Sequence, residues 1–374
     1  MRIAYLATAD ARGHLMRSQL LTHALQARGV SVQLITTSDE GQLFLAGFGL
    51  TATVLSRHYS VQFDMQQNML RDATDANVAG YIFHPNRMVR DIFKLRHVLR
   101  ENDLVLNDSF HPALLFMGCL PIWRHKVVHI YGASLRQALE TNFDGRIPAI
   151  VARLYSRIIA FQINRARARL EHDFAYCPTA ERVGNTIRIP TPVAVVKPGN
   201  IQSDQTPVHV AVYLNPHFCD AALAAALERG IADTGLTAHF VGEGMANRPG
   251  WVAQDADWAT RAASSSLIIS APGMAALSIA QVYDRPIILV LTDQPEQQRN
   301  AARAKELGLR HRTVVWQGDS EMFAASIYAA CEALYTDVEF AASDKADSRG
   351  YDMAVRRLEI WLDELVFPDS SGDS

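Results

Sequence analysis

Cysteine is sparse. The chain has four in 374 residues, Cys119, Cys177, Cys219 and Cys331, and none forms a CxxC pair. That spacing excludes a thiolate zinc cage and a disulfide framework, and leaves isolated thiols of the kind found in a reducing compartment. Long apolar runs are missing as well. No stretch approaches the roughly 20 apolar residues needed to cross a bilayer. The opening Met1-Arg2-Ile3-Ala4-Tyr5-Leu6 reaches Asp10 before any long apolar run, unlike a secretory signal. A cytoplasmic address is the expectation. Nor does one sign of charge prevail. With 36 Lys and Arg against 39 Asp and Glu, the formal net charge is −3, so no global basic field draws nucleic acid.

What is present is the composition of an ordinary globular protein, 49% hydrophobic and 20% charged, long enough for two domains. Short apolar strands alternate with amphipathic helices. Ile3–Ala7 reads as a buried strand and Leu15–Arg28 as a helix, closed by Gly29. Val32–Ile35 is the next strand, which makes a βαβ unit and predicts a parallel sheet. Leu50–Leu55, Asp103–Asn107 and Lys126–Tyr131 continue the strands, and Ile147–Leu170 reads as one long arginine-rich helix. The stretch Arg57–Asn77 is irregular and polar, as binding loops often are. A Pro-rich polar segment follows, and then a second series: strands at Val208–Leu214, Thr237–Val241, Leu267–Ser270, Ile287–Leu291 and Thr313–Trp316, with helices between them. The expected organisation is an N-terminal α/β domain over 1–189, a linker over 190–207 and a second α/β domain over 208–348. A last helix over 349–367 is expected to pack back toward the N-terminal domain. Two such parallel sheets predict a cleft lined by the carboxyl ends of their strands.

Three places concentrate chemistry. Asp10-Ala11-Arg12-Gly13-His14-Leu15-Met16-Arg17 joins the first strand to the first helix. A glycine there permits a tight turn, and a histidine can accept a proton near neutral pH. Asp108, at the end of the strand Asp103–Asn107, is placed to orient such a base, against the plainer reading of a helix cap or a turn residue, with Asp10 and His111 as rivals for the same task. Ser270-Ala271-Pro272-Gly273-Met274 runs from strand to helix, where exposed N–H groups attract phosphate. Finally, Glu296-Gln297-Gln298-Arg299-Asn300-Ala301 opens a helix with groups able to bond sugar hydroxyls, or merely to favour the helix dipole.

Together these segments resemble the GT-B glycosyltransferases, near the MurG and UDP-glycosyltransferase groups. Gly13-His14-Leu15-Met16-Arg17 is similar to the family's GHxxR opening. Gly273 followed by Pro286 matches its glycine-to-proline spacing. Glu296-Gln297-Gln298-Arg299-Asn300-Ala301 matches its [DE]QxxNA pattern, with Gly308 where that helix should end. The resemblance implies two Rossmann-like domains and metal-independent, inverting transfer of a sugar from a nucleotide-diphosphate donor, UDP-sugar first among them, to an acceptor hydroxyl, with no further cofactor. It implies His14 as general base and Asp108 as its partner. Gly273, Met274, Ala275 and Ser278 fall at the donor, Glu296 and Gln297 at the donor sugar, and Gly13 and Arg17 at the acceptor loop. One departure stands out. Relatives place a ribose-binding glutamate six residues after the glycine, where this chain has Ile279, and a small polar phosphate ligand three after it, where it has Ala276. The missing carboxylate would cost about 1.5–3 kcal/mol of donor affinity; either Ser278 or Gln281 helps to hold the ribose, or the donor is unusual, or the site is degenerate.

Two other functions fit parts of the pattern: a nucleotide-sugar hydrolase on the same fold, and a non-catalytic nucleotide-sugar-binding subunit. The acceptor is open among glycans, lipid-linked sugars and small molecules. The arginine-rich segment 147–170 adds an expectation of peripheral contact with a membrane face, against the plainer reading of a solvated arginine surface.

Overall fold

The computed structural model describes residues 1–9, 12–57, 80–81, 85–133, 149–197, 208–335 and 344–366. Among these, one compact unit comprises the residues from Met1 to Thr191 together with those from Leu358 onward, and a second comprises Pro192 to Arg357.

In the first unit the chain runs β1 (Arg2–Ala7), α1 (Arg12–Ala27), β2 (Ser31–Thr36), α2 (Asp39–Ala46), β3 (Ala52–Val54), α3 (Pro85–Glu101), β4 (Leu104–Asp108), α4 (Pro112–Gly118), β5 (Val127–Gly132), α5 (Ala149–Arg165), β6 (Ala168–Asp173), β7 (Glu181–Val183) and β8 (Thr186–Pro190). The sheet order is β3-β2-β1-β4-β5-β6-β8-β7, parallel except for the β7–β8 hairpin. Helices cover both faces, which is why the central strands read as unbroken apolar runs: Ile3 to Ala7 are all fully buried. Gly29, at φ 76°, ends α1 in the left-handed conformation glycine adopts without a Cβ clash.

In the second unit β9 (Val210–Leu214), α6 (Ala221–Ala232), β10 (Ala238–Gly242), β11 (Trp251–Val252), α7 (Trp258–Ser264), β12 (Leu267–Ser270), α8 (Met274–Val282), β13 (Ile287–Leu291), α9 (Pro295–Glu306), β14 (His311–Val315) and α10 (Ser320–Tyr335) build a wholly parallel sheet in the order β11-β10-β9-β12-β13-β14. Both sheets therefore share one winding. The chain starts in the middle, moves outward through two strands, then returns to the other side of its first strand. The reversal falls between β1 and β4 in one sheet and between β9 and β12 in the other. Ligands of open α/β sheets bind at the carboxyl ends beside such a reversal.

The last helix, α11 (Asp344–Val366), contributes to both units. Trp361, Leu362 and Leu365 join the first unit's core with Ile3, Tyr5, Leu15 and Leu170, and Trp361 Nε1 donates to the Pro190 carbonyl at 2.8 Å. Arg357 belongs to the second unit, where its Nη2 donates to Gln281 Oε1 at 2.8 Å.

The expected helix over Ile147–Leu170 divides. It stops at Arg165, and Ala168–Asp173 is a strand between β5 and β8. The polar side chains that disguise this strand are satisfied by neighbours remote in sequence or across the next loop: Glu171 Oε1 accepts from Tyr176 and Arg188, and His172 Nδ1 lies 3.0 Å from Thr191 Oγ1. The hairpin β7–β8 and the short β11 are likewise additions to the sequence reading. Most of the expected binding loop 57–77, and residues 198–207 of the expected linker, lie outside the described residues.

Candidate active site

β1 and β4 are neighbours, and their carboxyl ends bring His14 and Asp108 together across 94 positions of sequence. His14 stands in the first turn of α1, half-buried, with Nδ1 2.7 Å from Asp108 Oδ1. Asp108 is fully buried and accepts three further bonds: from Tyr5 Oη to Oδ2 at 2.8 Å, from Arg17 Nε to Oδ2 at 2.8 Å, and from Arg17 Nη2 to Oδ1 at 2.5 Å. Burial alone would raise this carboxyl. The paired Arg17 guanidinium and then His14 outweigh it, and hold the group well below the usual carboxylate range. Burial first, and the Asp108 charge second, push the Tyr5 phenol well above its ordinary value, so Tyr5 is a neutral donor.

The loop after β4 is held under local strain. Phe110 sits at φ 52°, a conformation that costs a bulky residue about 1–3 kcal/mol. Asn107 pins the loop from beneath: its Oδ1 accepts from Ser109 Oγ at 3.0 Å and from the His111 N–H at 3.1 Å. His111, a rival partner in the sequence, is fully buried and caps α4 through the Ala113 N–H at 3.3 Å. Its Nε2 is 3.6 Å from Asp91, so it belongs to a different cluster. Asp10, the other rival, lies outside the described residues.

Two sequence expectations for this loop change. Arg17, placed at the acceptor by its motif, is buried and spends its guanidinium on Asp108. Gly13 lies inside α1 without a positive φ, and a Cβ there would meet nothing within 4 Å, so no tight turn demands it.

In the second unit the corresponding edge carries the other predicted residues. Gly273 is the N-cap of α8 at φ −83°, exposed, and no side chain caps the helix. The first-turn N–H groups of Met274, Ala275 and Ala276 are thus presented without a side-chain partner, as an anion site requires. Asn300, on α9, donates from Nδ2 to the Pro272 carbonyl at 2.8 Å and fixes this turn from the neighbouring helix. Gln297 is buried. Its Oε1 accepts from the Thr292 N–H at 2.9 Å, which closes the β13–α9 loop. Glu296, at the same helix start, is exposed.

The groups expected to replace the missing ribose carboxylate are occupied. Ser278 is fully buried and donates to the Met274 carbonyl at 2.7 Å, and Gln281 holds Arg357. Ile279 is itself buried. Two polar residues went unnoticed in the sequence. His217, in the loop after β9, lies 3.3 Å from Gln294 Nε2 in the loop after β13, the amide donating to the ring. β9 and β13 flank β12, so this pair joins the loops on either side of the strand that leads to Gly273. Burial lowers the His217 imidazole to about 4 and keeps it neutral. Among the described residues, no three His, Cys, Asp or Glu side chains cluster as a metal site would need.

Solved glycosyltransferase structures match the fold over nearly the whole chain. The calicheamicin glycosyltransferase CalG4 superposes with a TM-score of 0.59 at 16% identity, covering 98% of each chain. The glycosyltransferase VinC, solved in complex with dTDP, matches at 0.59 and 13% identity, again over 98% of each. SnogD from Streptomyces nogalater matches at 0.56 and 16%, covering 99% of this chain and 100% of its own. This chain has the GT-B glycosyltransferase fold. No family profile matches the sequence, and no curated protein matches it. The GT-B likeness is therefore one of tertiary structure, carried by backbone topology at identities too low to transfer any side chain's role.

Proposed function

We propose that this protein moves a sugar from a nucleotide-diphosphate donor to an acceptor hydroxyl with inversion at the anomeric carbon. The observation that carries the reading is the His14–Asp108 pair at the carboxyl ends of β1 and β4. With Nδ1 donating to the carboxylate, His14 Nε2 keeps its lone pair and takes the acceptor proton as the hydroxyl attacks. Asp108, buried and ionised, offsets the imidazolium charge that develops. The departing diphosphate is assigned to the N–H groups that open α8, which act by electrostatic stabilisation without a metal ion. Glu296 and the Gln297 amide nitrogen are assigned to the donor sugar. The dTDP bound by VinC supports a nucleoside-diphosphate donor here. Ile279 offers the ribose no carboxylate and Ala276 offers the phosphates no hydroxyl, so donor affinity is assigned chiefly to the backbone N–H groups that open α8. TDP- and UDP-sugars are the first donors to test.

The test uses His14→Ala. Transfer is expected to fall at least about 100-fold, the usual share of a positioned base. Donor affinity, measured by calorimetry, is expected to stay within about twofold, because every assigned donor contact lies in the second unit. Unchanged turnover overturns the mechanism. Release of free sugar at the rate of transfer points instead to a hydrolase, and no heat with any nucleotide-sugar points to a non-catalytic role.

A second feature bears on the acceptor. From Ala149 to Leu170 the chain has no acidic residue. Arg153, Arg157, Phe161 and Arg165 stand at four-residue spacing along the exposed side of α5, Arg165 lies over the Phe161 ring, and Ile158 beside them is 47% exposed. A basic line with apolar side chains between its charges suits peripheral contact with an anionic bilayer, and hence a lipid-linked acceptor. Among the described residues, no helix is long and apolar enough to cross a membrane.

A further inference from the structure

We propose that Arg17 is a positioning residue which sets the pH at which the His14–Asp108 pair can act as a base. The proposal rests on the sugar-transfer reading for its kinetic consequence, but its physical content is independent of it.

Arg17 follows His14 by three residues, so both project from one side of α1 toward β4. Its guanidinium grips Asp108 with both arms, Nε on Oδ2 and Nη2 on Oδ1. The second arm also lies 3.0 Å from His14 Nδ1. Nη2 can only donate, as can a protonated Nδ1, so the ring faces two incompatible offers. If Nδ1 carries the proton, it bonds Asp108 and leaves Nε2 bare, the form that accepts a proton. If Nδ1 is bare, it accepts a hydrogen bond from Arg17 Nη2, Nε2 carries the hydrogen and the base is blocked. The shorter, charge-assisted contact to the carboxylate, 2.7 Å, favours the first form.

Charge count decides the rest. The titratable and charged groups facing the His14–Asp108 pair among the described residues are Arg17 from the helix of His14, Tyr5 from β1 and His172 from β6. Tyr5 is neutral, and burial followed by the Arg17 charge keeps His172 neutral. One carboxylate thus already has one cation. Protonating the pair places a second cation on the same carboxylate, with Arg17 in contact. A His–Asp pair without that arginine gains its proton at higher pH. The proton belongs to the pair, whichever atom carries it, so the direction holds even if Asp108 itself protonates.

The test is a pH titration of wild type, Arg17→Gln, Arg17→Met and Arg17→Lys, read in two ways. One is the acid limb of the transfer rate; the other is the His14 ring signal in NMR of histidine-labelled protein. Arg17→Gln and Arg17→Met are expected to move both upward by about one to three pH units, the usual effect of a charge in contact. Arg17→Lys, which keeps the cation, is expected to stay within about half a unit of wild type. If Arg17→Met does not fold, Arg17→Gln decides, since it keeps a donor and most of the volume. A uniform loss of rate with an unmoved limb and an unmoved ring signal overturns the proposal, as does Arg17→Lys shifting as far as Arg17→Gln. Wild type that shows no His14-dependent transfer refutes the sugar-transfer reading alone, and the NMR titration still tests Arg17.

Discussion

Asp108→Asn separates what the buried carboxylate does for the fold from what it does for the base. Asp108 accepts four bonds, two from Arg17 and one each from Tyr5 and His14. An asparagine has one acceptor oxygen. With that oxygen at the Oδ1 position, its NH2 points at Arg17 Nε, a donor meeting a donor. With the amide reversed, the NH2 meets both Arg17 Nη2 and His14 Nδ1. In either orientation the buried guanidinium loses its counter-charge. Breaking one side of such a pair costs about 3–5 kcal/mol. For a unit of this size, at about 2–4 °C per kcal/mol, the thermal transition of the first unit should fall by roughly 6–20 °C. Transfer should fall about 10²- to 10⁴-fold, because the imidazolium has lost its partner and the ring is free to present the wrong tautomer. Scanning calorimetry and initial-rate assays below the mutant's transition measure the two effects. The double variant Arg17→Met/Asp108→Leu is the decisive control. Replacing both charges by apolar groups should recover most of the stability without recovering activity. An Asp108→Asn protein with wild-type melting and wild-type rate would refute the reasoning, and so would a double variant no more stable than the single one.

Three further outcomes follow from particular contacts. Asn300→Leu frees the Pro272 carbonyl and unpins the turn before α8; nucleoside-diphosphate affinity by calorimetry should drop about 5- to 30-fold, the value of a buried bond left half-made, while the pH dependence of transfer stays unchanged. His129 is fully buried and, by burial first and Arg169 second, titrates at about 3, below its unfolded value. The unfolded chain therefore binds more protons, and stability present above about pH 6.5 is lost as pH falls toward 3 at about 1.4 kcal/mol per unit for this group; His129→Leu should flatten the slope of unfolding free energy against pH, from denaturant titrations, over that window by that amount. Phe161→Glu and Arg157→Glu should each lower co-sedimentation with vesicles rich in phosphatidylglycerol and leave neutral phosphatidylcholine vesicles indifferent; equal binding of wild type and variants would remove the membrane reading.

The sequence by itself determined the α/β class. Strands such as Ile3–Ala7 and Ile287–Leu291 are apolar on both faces, and only a sheet covered on both sides buries them. It also put His14, Gly273 and Glu296 where a strand gives way to a helix, and the structure has each of them at such a junction. Arg17 and Asn300 were visible as spacings, three residues from His14 and from Gln297, but their duties were not. Tertiary structure decided those. Whether Arg17 meets an acceptor or Asp108 depends on β4 lying beside β1, a neighbour 100 residues away that no local pattern encodes. The same holds for β6, whose Glu171 and His172 look unsuited to a buried strand until Tyr176, Arg188 and Thr191 supply partners. Ser278 and Gln281 looked available in one dimension and are spoken for in three. Hydrophobic periodicity is written locally and survives in a single sequence. The pairing of buried polar groups is settled only by which strands become neighbours.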